Sequence, residues 1–340
     1  MQGKTLRFTG YIVALVAIFL FFSYQLPFYI HKPGSADALN PVVQVTDGYK
    51  SEGGDMHLVT IQGGQATPFQ YLLAKVRDYH EILPIEEVLP EGMSNDSYHQ
   101  LQLMMMESSQ EAATVVAYQA ANREIDIEYE GVYVVSVLEG MPAEKILKPG
   151  DKIIEIDHDQ IQEADDLIQA VTSKQPGDTI QLKIQRDGKE FNENIELVKM
   201  EELDGKPGIG IQLVTNREVT EKPAVNFSSG DIGGPSAGLM FSLEIYDQLT
   251  EEDMTHGFQI AGTGEIDYDG NVGRIGGIDK KVVAADRANS DIFFAPNENG
   301  RDNSNYQVAK KVAEEIGTDM KVVPVDHFKD AVEYLENLSN

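Results

Sequence analysis

Residues 233–242 read GGPSAGLMFS and place a serine between glycines, directly before an apolar run that favours a helix. At the start of a helix, the first backbone N–H groups lack partners and the positive end of the helix dipole is exposed. We therefore expect the hydroxyl of Ser236 to lie where an oxyanion can be held, with Gly234 and Ala237 as supporting residues beside it. The same pattern suits an ordinary helix N-cap. This stretch alone leaves nucleophile and N-cap as alternatives.

A second helix that starts directly after glycines is predicted at residues 276–285, GGIDKKVVAA. Lys280 and Lys281 lie near its positive end, where cations are disfavoured. Mutual repulsion and burial would both lower a lysine pKa, and a base that works near neutrality needs a drop of about 3 units. A neutral lysine beside a serine could activate that serine as a nucleophile.

These segments resemble the proteolytic domain of Lon proteases, which use a Ser-Lys dyad. The resemblance covers four segments, which are GGPSAGLMFS, AGTGEI, NVGRIGGIDKKVVAA and IFFAPNEN. It implies Ser236 as the nucleophile, Lys281 as the base and Thr263 as the hydroxyl that helps to position the base, with Lys280 as the alternative base. The family usually has an acidic residue three positions before the serine, whereas this chain has Gly233.

A β-rich stretch at residues 127–200 resembles a PDZ domain, with short strands separated by Pro-Gly and Asp-Gly turns. PDZ domains bind a peptide as an added strand. By resemblance, the carboxylate loop and the peptide strand would lie near five residues, which are Glu130, Gly131, Val132, Tyr133 and Val134. The loop departs from the usual Gly-Leu-Gly-Phe form, and a PDZ domain that only braces the enzyme is the alternative.

The remaining chain predicts an α+β fold with mixed α/β layers, since strands and helices alternate after residue 205. The strand GDMHLVTI and the helix MMMESSQEAATVV resemble the opening of the Lon proteolytic domain. We therefore expect a peptidase domain formed by residues 42–122 and 205–340, with the PDZ domain inserted between these parts. Insertion requires the ends of the inserted domain to lie close together.

Residues 9–30 contain no charged side chain, and 22 helical residues would rise about 33 Å, which matches a bilayer core of roughly 30 Å. Lys4 and Arg7 precede this segment, so the positive-inside bias predicts a transmembrane signal anchor with residues 1–8 as a cytoplasmic tail. The catalytic domain would then lie outside the cell membrane. A signal peptide cleaved near Ala38 is the alternative.

Composition excludes several classes of function. The net charge is −29, from 27 basic and 56 acidic residues, so nucleic acid is an improbable partner. The chain has no cysteine, which excludes a thiol nucleophile and disulfides. No metal or other cofactor is expected. No GxxxxGK[ST] stretch occurs, so we expect activity without ATP.

The whole pattern resembles the membrane-anchored, PDZ-containing Lon-like peptidases of Gram-positive bacteria. This resemblance implies limited cleavage of small secreted or membrane-tethered peptides and proteins, in a chain that could form a homo-oligomer. Two alternatives remain, which are a non-catalytic PDZ adaptor and an α/β-hydrolase esterase with Ser236 in its GxSxG motif. An esterase would need His327 as its base, because His327 is the only histidine after His256.

Overall fold

The computed structural model describes residues 2–51, 53–89, 95–186, 188–200 and 205–338, with side chains from residue 9 onward except those of residues 96 and 216. The predicted tail, residues 1–8, and Asp187 of one predicted turn thus lie outside the side chains described. The chain divides into two compact units, Met1–Glu124 with Glu221–Asn340, and Ile125–Thr220. We call them the outer unit and the inserted unit.

The described secondary structure comprises short strands and helices in both units. The strands are β1 (Phe28–Ala38), β2 (Val43–Val45), β3 (Asp55–Gln65), β4 (Glu81–Pro84), β5 (Glu124–Val137), β6 (Lys152–Ile156), β7 (Asp159–Gln160), β8 (Thr179–Arg186), β9 (Lys189–Glu196), β10 (Val198–Lys199), β11 (Pro207–Gly208), β12 (Ile211–Lys222), β13 (Val225–Phe227), β14 (Gln259–Gly262), β15 (Glu265–Ile266), β16 (Val272–Gly273), β17 (Ile292–Pro296) and β18 (Lys321–Val325). The α-helices are α1 (Gln2–Ser23), α2 (Pro68–Ala74), α3 (Ile85–Val88), α4 (Asn95–Ala120), α5 (Ala164–Thr172), α6 (Gly238–Leu249), α7 (Ile278–Arg287), α8 (Asn305–Ile316) and α9 (Phe328–Glu336).

A six-stranded mixed sheet organises the outer unit, in the order β18-β17-β14-β3-β1-β4. Strand β14 runs parallel to β3 and β17, and β17 runs parallel to β18. Strand β1 runs antiparallel to both β3 and β4. The mixed α/β architecture expected from the sequence is therefore confirmed, and segments on both sides of the insertion contribute to one sheet.

The N-terminal boundaries differ from the prediction. Helix α1 ends at Ser23, and residues 28–38 form β1, so residues 28–30 do not continue the helix predicted for residues 9–30. The apolar side chains of Phe28 and Ile30 pack in a core cluster with Ala66 and Ala74, which accounts for the apolar character of this end of the segment. Within the described part of the chain, no helix combines the length and apolarity needed to cross a membrane.

Helix α4 packs against α6, and α6 begins two residues after Ser236. In the methionine-rich stretch of α4, Met106 is buried at 2% exposure, whereas Met104 and Met105 are 42% and 38% exposed. Most of α6 is buried. The loop that carries Ser236 is thus followed by a helix that is buried on nearly all sides.

The inserted unit is built on a second sheet, in the order β12-β5-β6-β8-β9, with β7 paired to β6. The chain enters through β5 and leaves through the neighbouring strand β12, and Lys222 Nζ lies 3.4 Å from Glu124 Oε1 where the two strands meet the outer unit. The ends of the insertion therefore lie close together.

Assigning everything after residue 205 to the peptidase domain was wrong for residues 205–220. The sequence GIGIQLV forms β12 and the turn before it, and Ile209 is 4% exposed in the core of the inserted unit. Ile211 and Leu213 pack against the same core. A short apolar strand has the same pattern in either domain, so only its tertiary partners decide where it belongs.

Candidate active site

Ser236 and Lys281 lie in direct contact although 45 residues separate them in the sequence. Ser236 occupies the turn before α6, and Lys281 lies in the first turn of α7. The distance from Lys281 Nζ to Ser236 Oγ is 2.8 Å. This is within the range in which a base can remove the proton of a nucleophile.

Burial gives Lys281 the properties of a base. Its side chain lies on the inner face of α7 and is 3% exposed. Because an ammonium ion loses its hydration there, burial lowers the pKa of Lys281 from 10.5 to about 7. We had expected repulsion from the neighbouring lysine to contribute, whereas burial is the cause found here. A substantial fraction of Lys281 is thus neutral near pH 7.

The hydrogen bonds around Lys281 determine where its lone pair points. The ammonium group contacts three acceptors, which are Val59 O at 2.9 Å, Thr263 Oγ1 at 3.1 Å and Ser236 Oγ. A carbonyl can only accept, and Thr263 donates its own proton to Ser236 O at 2.9 Å. A neutral amine has two protons for Val59 and Thr263, so its lone pair faces the Ser236 hydroxyl.

The geometry also distinguishes the two candidate lysines. Lys280 Nζ forms ion pairs with Glu81 at 2.8 Å and Asp279 at 3.1 Å. These carboxylates compensate the positive charge of a side chain that is only 4% exposed. Lys280 therefore pairs with carboxylates, whereas Lys281 contacts the serine.

The backbone around Ser236 supplies two amides for an oxyanion. Among the described groups, the amides of Ser236 and Ala237 find no hydrogen-bond acceptor, and both residues line the cleft that contains the dyad. The amide of Gly234 instead donates to Gln102 O at 2.7 Å. Of the two predicted supporting residues, Ala237 offers a free donor, whereas Gly234 supports the loop through its left-handed backbone, at a φ of 92°.

The cleft has a volume of about 780 Å³ and opens over the dyad. Its walls include carboxylates of Asp37, Asp231 and Glu265 as well as the side chains of Tyr98 and Met106. A larger cavity of about 1030 Å³ in the same unit contains neither dyad residue. We place the candidate active site in the smaller cleft because reactive geometry, and not size, identifies it.

Comparison with known families agrees with this geometry. Residues 225–337 match the model of the Lon protease C-terminal proteolytic domain. The Lon protease of Aster yellows witches'-broom phytoplasma is 32% identical over 97 residues, and that of Campylobacter jejuni is 34% identical over 102 residues. Residues 225–337 are therefore similar to the serine peptidase domain of Lon proteases.

The similarity to these Lon proteases is confined to a short region. The two alignments cover 28% and 30% of this chain but only 11% and 12% of the relatives. The chain thus spans about a tenth of the length of the curated relatives that it matches.

The inserted unit has a match of its own. The PDZ domain model matches residues 102–197, a range that begins inside α4 and ends before β11 and β12. The PDZ domain of an SdrC-like protein from Listeria monocytogenes is 38% identical, covering 25% of this chain and 90% of that chain, with a TM-score of 0.24. A PDZ-like β domain therefore accompanies the Lon-type domain.

The predicted peptide groove of the PDZ-like unit was placed on the wrong strand. Residues 130–134 lie in β5, which has β12 on one side and β6 on the other, so this strand has no free edge. Val132 and Val134 are buried in the core. An apolar cavity of about 110 Å³ lies instead between α5 and residues 207–213. The GIGI sequence was the available signal, but we had assigned it to the peptidase.

The esterase alternative finds no support in the Lon-type domain. His327 is the N-cap of α9, where its ring contacts Lys329 N at 3.0 Å and Asp269 O at 2.9 Å. The strand before Ser236, β13, ends at Phe227, so a loop and not a strand leads into the serine. The basic side chain in contact with Ser236 is that of Lys281.

Sequence reasoning missed two groups around the dyad, one that contacts Lys281 and one that contacts the residue before Ser236. Val59 contributes only its carbonyl, which no side-chain pattern could reveal. Ser109 donates from Oγ to Pro235 O at 2.9 Å across 126 residues of sequence. Its burial, at 4% exposure, is unusual for a serine and is visible only in the structure.

Proposed function

We propose that this chain is an ATP-independent serine endopeptidase in which neutral Lys281 activates Ser236. The observation that carries the proposal is the 2.8 Å contact between Lys281 Nζ and Ser236 Oγ at a buried lysine whose pKa burial lowers to about 7. A non-catalytic PDZ adaptor would have no need for a lysine held neutral beside a serine.

The reaction is acyl transfer in two steps. Lys281 Nζ takes the proton of Ser236 Oγ while that oxygen attacks the peptide carbonyl, and the amides of Ser236 and Ala237 hold the oxyanion. The lysine ammonium then protonates the departing amine as the C–N bond breaks, which leaves an ester on Ser236. Water, deprotonated by Lys281, attacks this ester and releases the second product.

The substrates would be extended peptides and small proteins, secreted or membrane-tethered. The cleft that contains the dyad lies beside β3 and is open to solvent, so an unfolded segment could enter it without an unfolding motor. The direct test is cleavage of an unstructured fluorogenic peptide by the full chain without nucleotide. Strict dependence on added ATP would contradict the proposal.

The PDZ-like unit would bind part of the substrate in the apolar groove beside α5. Ile168 lines this groove and is 47% exposed, and Gln169 is its exposed neighbour outside the groove. We expect Ile168→Lys to weaken binding of apolar peptides about 10-fold or more, because a lysine would enter an apolar site. Gln169→Lys adds the same charge and should leave binding unchanged. Titration with labelled peptides measures this, and equal affinities of both variants would contradict the assignment.

Attachment to the cell membrane, with the peptidase outside, stays a prediction. The observation that favours a lipid surface is the exposure of apolar side chains along α1, where Tyr11, Leu15 and Phe19 are 70%, 66% and 66% exposed. We expect the full chain to remain with the membrane fraction after carbonate extraction. Release into the supernatant, or protection of the peptidase domain from protease added to intact cells, would contradict this location.

A further inference from the structure

One face of α4 runs along the loop that carries the nucleophile. Gln102 O accepts the Gly234 amide at 2.7 Å, and Ser109 Oγ donates to Pro235 O at 2.9 Å. The next residue of the helix, Gln110, donates from Nε2 to Ser229 Oγ at 3.0 Å. Three contacts from one helix thus define the path of the loop up to the residue before Ser236.

The contact of Ser109 fixes the orientation of the peptide group that ends in the Ser236 amide. In a planar trans peptide, the carbonyl of one residue and the N–H of the next point in opposite directions. Because Ser109 holds the Pro235 carbonyl toward α4, the N–H of Ser236 is turned away from α4. On the other side of Ser236, Thr263 Oγ1 and the Gly264 amide hold the Ser236 carbonyl at 2.9 and 3.0 Å, which orients the Ala237 N–H in the same way.

Close packing makes the Ser109 contact a specific one. A Cβ at position 238 would lie 2.9 Å from Ser109 Oγ and 2.7 Å from the Ile266 side chain, so only glycine leaves room for the hydroxyl. The Pro235 carbonyl has one further donor, the Gly238 amide at 3.3 Å. This second bond is longer, and without Ser109 it would hold the carbonyl alone.

We propose that Ser109 is a positioning residue that orients the Ser236 amide for binding of the oxyanion. The inference rests on the proposed serine endopeptidase activity and adds a residue from the segment before the insertion to its machinery. Ser109 contacts neither Lys281 nor the Ser236 hydroxyl, so it acts on the stabilisation of the transition state and not on the base.

Loss of this positioning has a distinct kinetic signature. Removal of an oxyanion donor costs about 10²–10³-fold in kcat, and a donor that is misdirected but present should cost less, about 10–100-fold. KM should change little, because the oxyanion exists only in the transition state. The midpoint of the pH–rate profile should stay at the wild-type value, because the surroundings of Lys281 are unchanged.

The test compares Ser109→Ala with Thr114→Val in the full chain, using an unstructured fluorogenic peptide. Thr114 is the matched control, since it lies on α4, is 4% exposed and donates from Oγ1 to Gln110 O at 2.8 Å, away from the loop. A peptide aldehyde adds a second readout, because its adduct with Ser236 carries the oxyanion. Its inhibition constant should rise in Ser109→Ala in proportion to the fall in kcat/KM.

The outcomes separate the inference from the proposed function. Absence of Ser236-dependent cleavage by the wild type would overturn both. With an active wild type, an equal loss of kcat in both variants, a rise in KM without a fall in kcat, or a shifted pH midpoint would overturn the role of Ser109 alone. If Ser109→Ala does not fold, Ser109→Cys replaces it, because cysteine keeps a weaker donor of similar size. The kcat of Ser109→Cys should still fall while its KM stays at the wild-type value. An unchanged kcat in this variant would overturn the inference.

Discussion

Replacing Ser236 with alanine is expected to abolish peptide hydrolysis, with a fall in kcat on the order of 10⁴-fold or more. Of the two hydroxyls in contact with Lys281, that of Thr263 donates to Ser236 O, which leaves the Ser236 hydroxyl to attack the substrate. Alanine at position 236 leaves the amides of residues 236 and 237 in place. Substrate binding should therefore persist while acyl transfer stops. Steady-state kinetics of the full chain and direct binding of the same peptide measure the two effects separately.

Ser242→Ala is the matched control for this variant. Ser242 lies six residues further on, inside α6, is fully buried and donates from Oγ to Leu239 O at 2.7 Å. Its removal should cost a modest amount of stability and leave kcat near the wild-type value. Residual activity in Ser236→Ala equal to that of Ser242→Ala would assign the reaction to another nucleophile.

Replacing Lys281 with methionine should abolish activity and, at the same time, stabilise the fold. The base is lost, so kcat should fall at least about 10³-fold. The folded-state pKa of about 7 lies below the unfolded value of 10.5, and this difference corresponds to a free-energy penalty on the order of 5 kcal/mol. Methionine has a similar length and carries no charge to desolvate.

The sign of the pH dependence follows from proton linkage. Between about pH 7 and pH 10.5 the unfolded chain binds the Lys281 proton and the folded chain does not, so wild-type stability rises with pH in this window. Below pH 7 the penalty is constant and largest. The stabilisation of Lys281→Met over the wild type should therefore be greatest below pH 7 and shrink toward pH 10, as measured by denaturant unfolding at several pH values. The acceptors Val59 O and Thr263 Oγ1 lose a donor, which makes the gain smaller than the full penalty.

Lys280→Met is the matched control at the neighbouring position. It removes a lysine that pairs with Glu81 and Asp279, so it should destabilise the fold by leaving these carboxylates without their cation. It should retain most of the catalytic activity. Loss of activity in Lys280→Met together with persistence in Lys281→Met would reverse the assignment of the base.

The dyad was within reach of sequence reasoning because its residue types are unusual in their positions. A serine between glycines and a lysine at a helix N-terminus are both costly or uncommon choices, and the resemblance to Lon proteases connected them. The resemblance favoured Lys281 over Lys280, but the physical difference between the two lysines is visible only in the structure. It depends on which side of α7 faces the core and on the carboxylate that β4 brings to Lys280.

The errors have a common physical origin in apolar segments that serve more than one role. Residues 28–30 extend an apolar run and are predicted from the sequence to be part of a membrane span. In the structure they belong to β1, where Phe28 and Ile30 pack in a core cluster. The apolar residues 209–213 were read as a peptidase strand, whereas they close the PDZ-like unit. Sequence periodicity indicates that a segment is buried but not what buries it.

The groups that complete the site are backbone groups and residues that lie far from Ser236 in the sequence. Val59 contributes a carbonyl, and the role of Gly234 changed because Gln102 occupies its amide. Ser109 contacts Pro235, and the whole inserted unit lies between these two residues in the sequence. Such contacts are set by the packing of α4 on α6 and by the sheet, and no short motif encodes them.

The most direct measurement of the central claim is the rate at which a fluorophosphonate probe modifies the full chain as a function of pH, followed by intact mass and peptide mapping. We expect a single adduct on Ser236, with a rate that rises through about pH 7 as Lys281 loses its proton, and almost no labelling of Lys281→Met. Labelling at another residue, a rate independent of pH between 5 and 9, or unchanged labelling of Lys281→Met would contradict a Ser-Lys dyad.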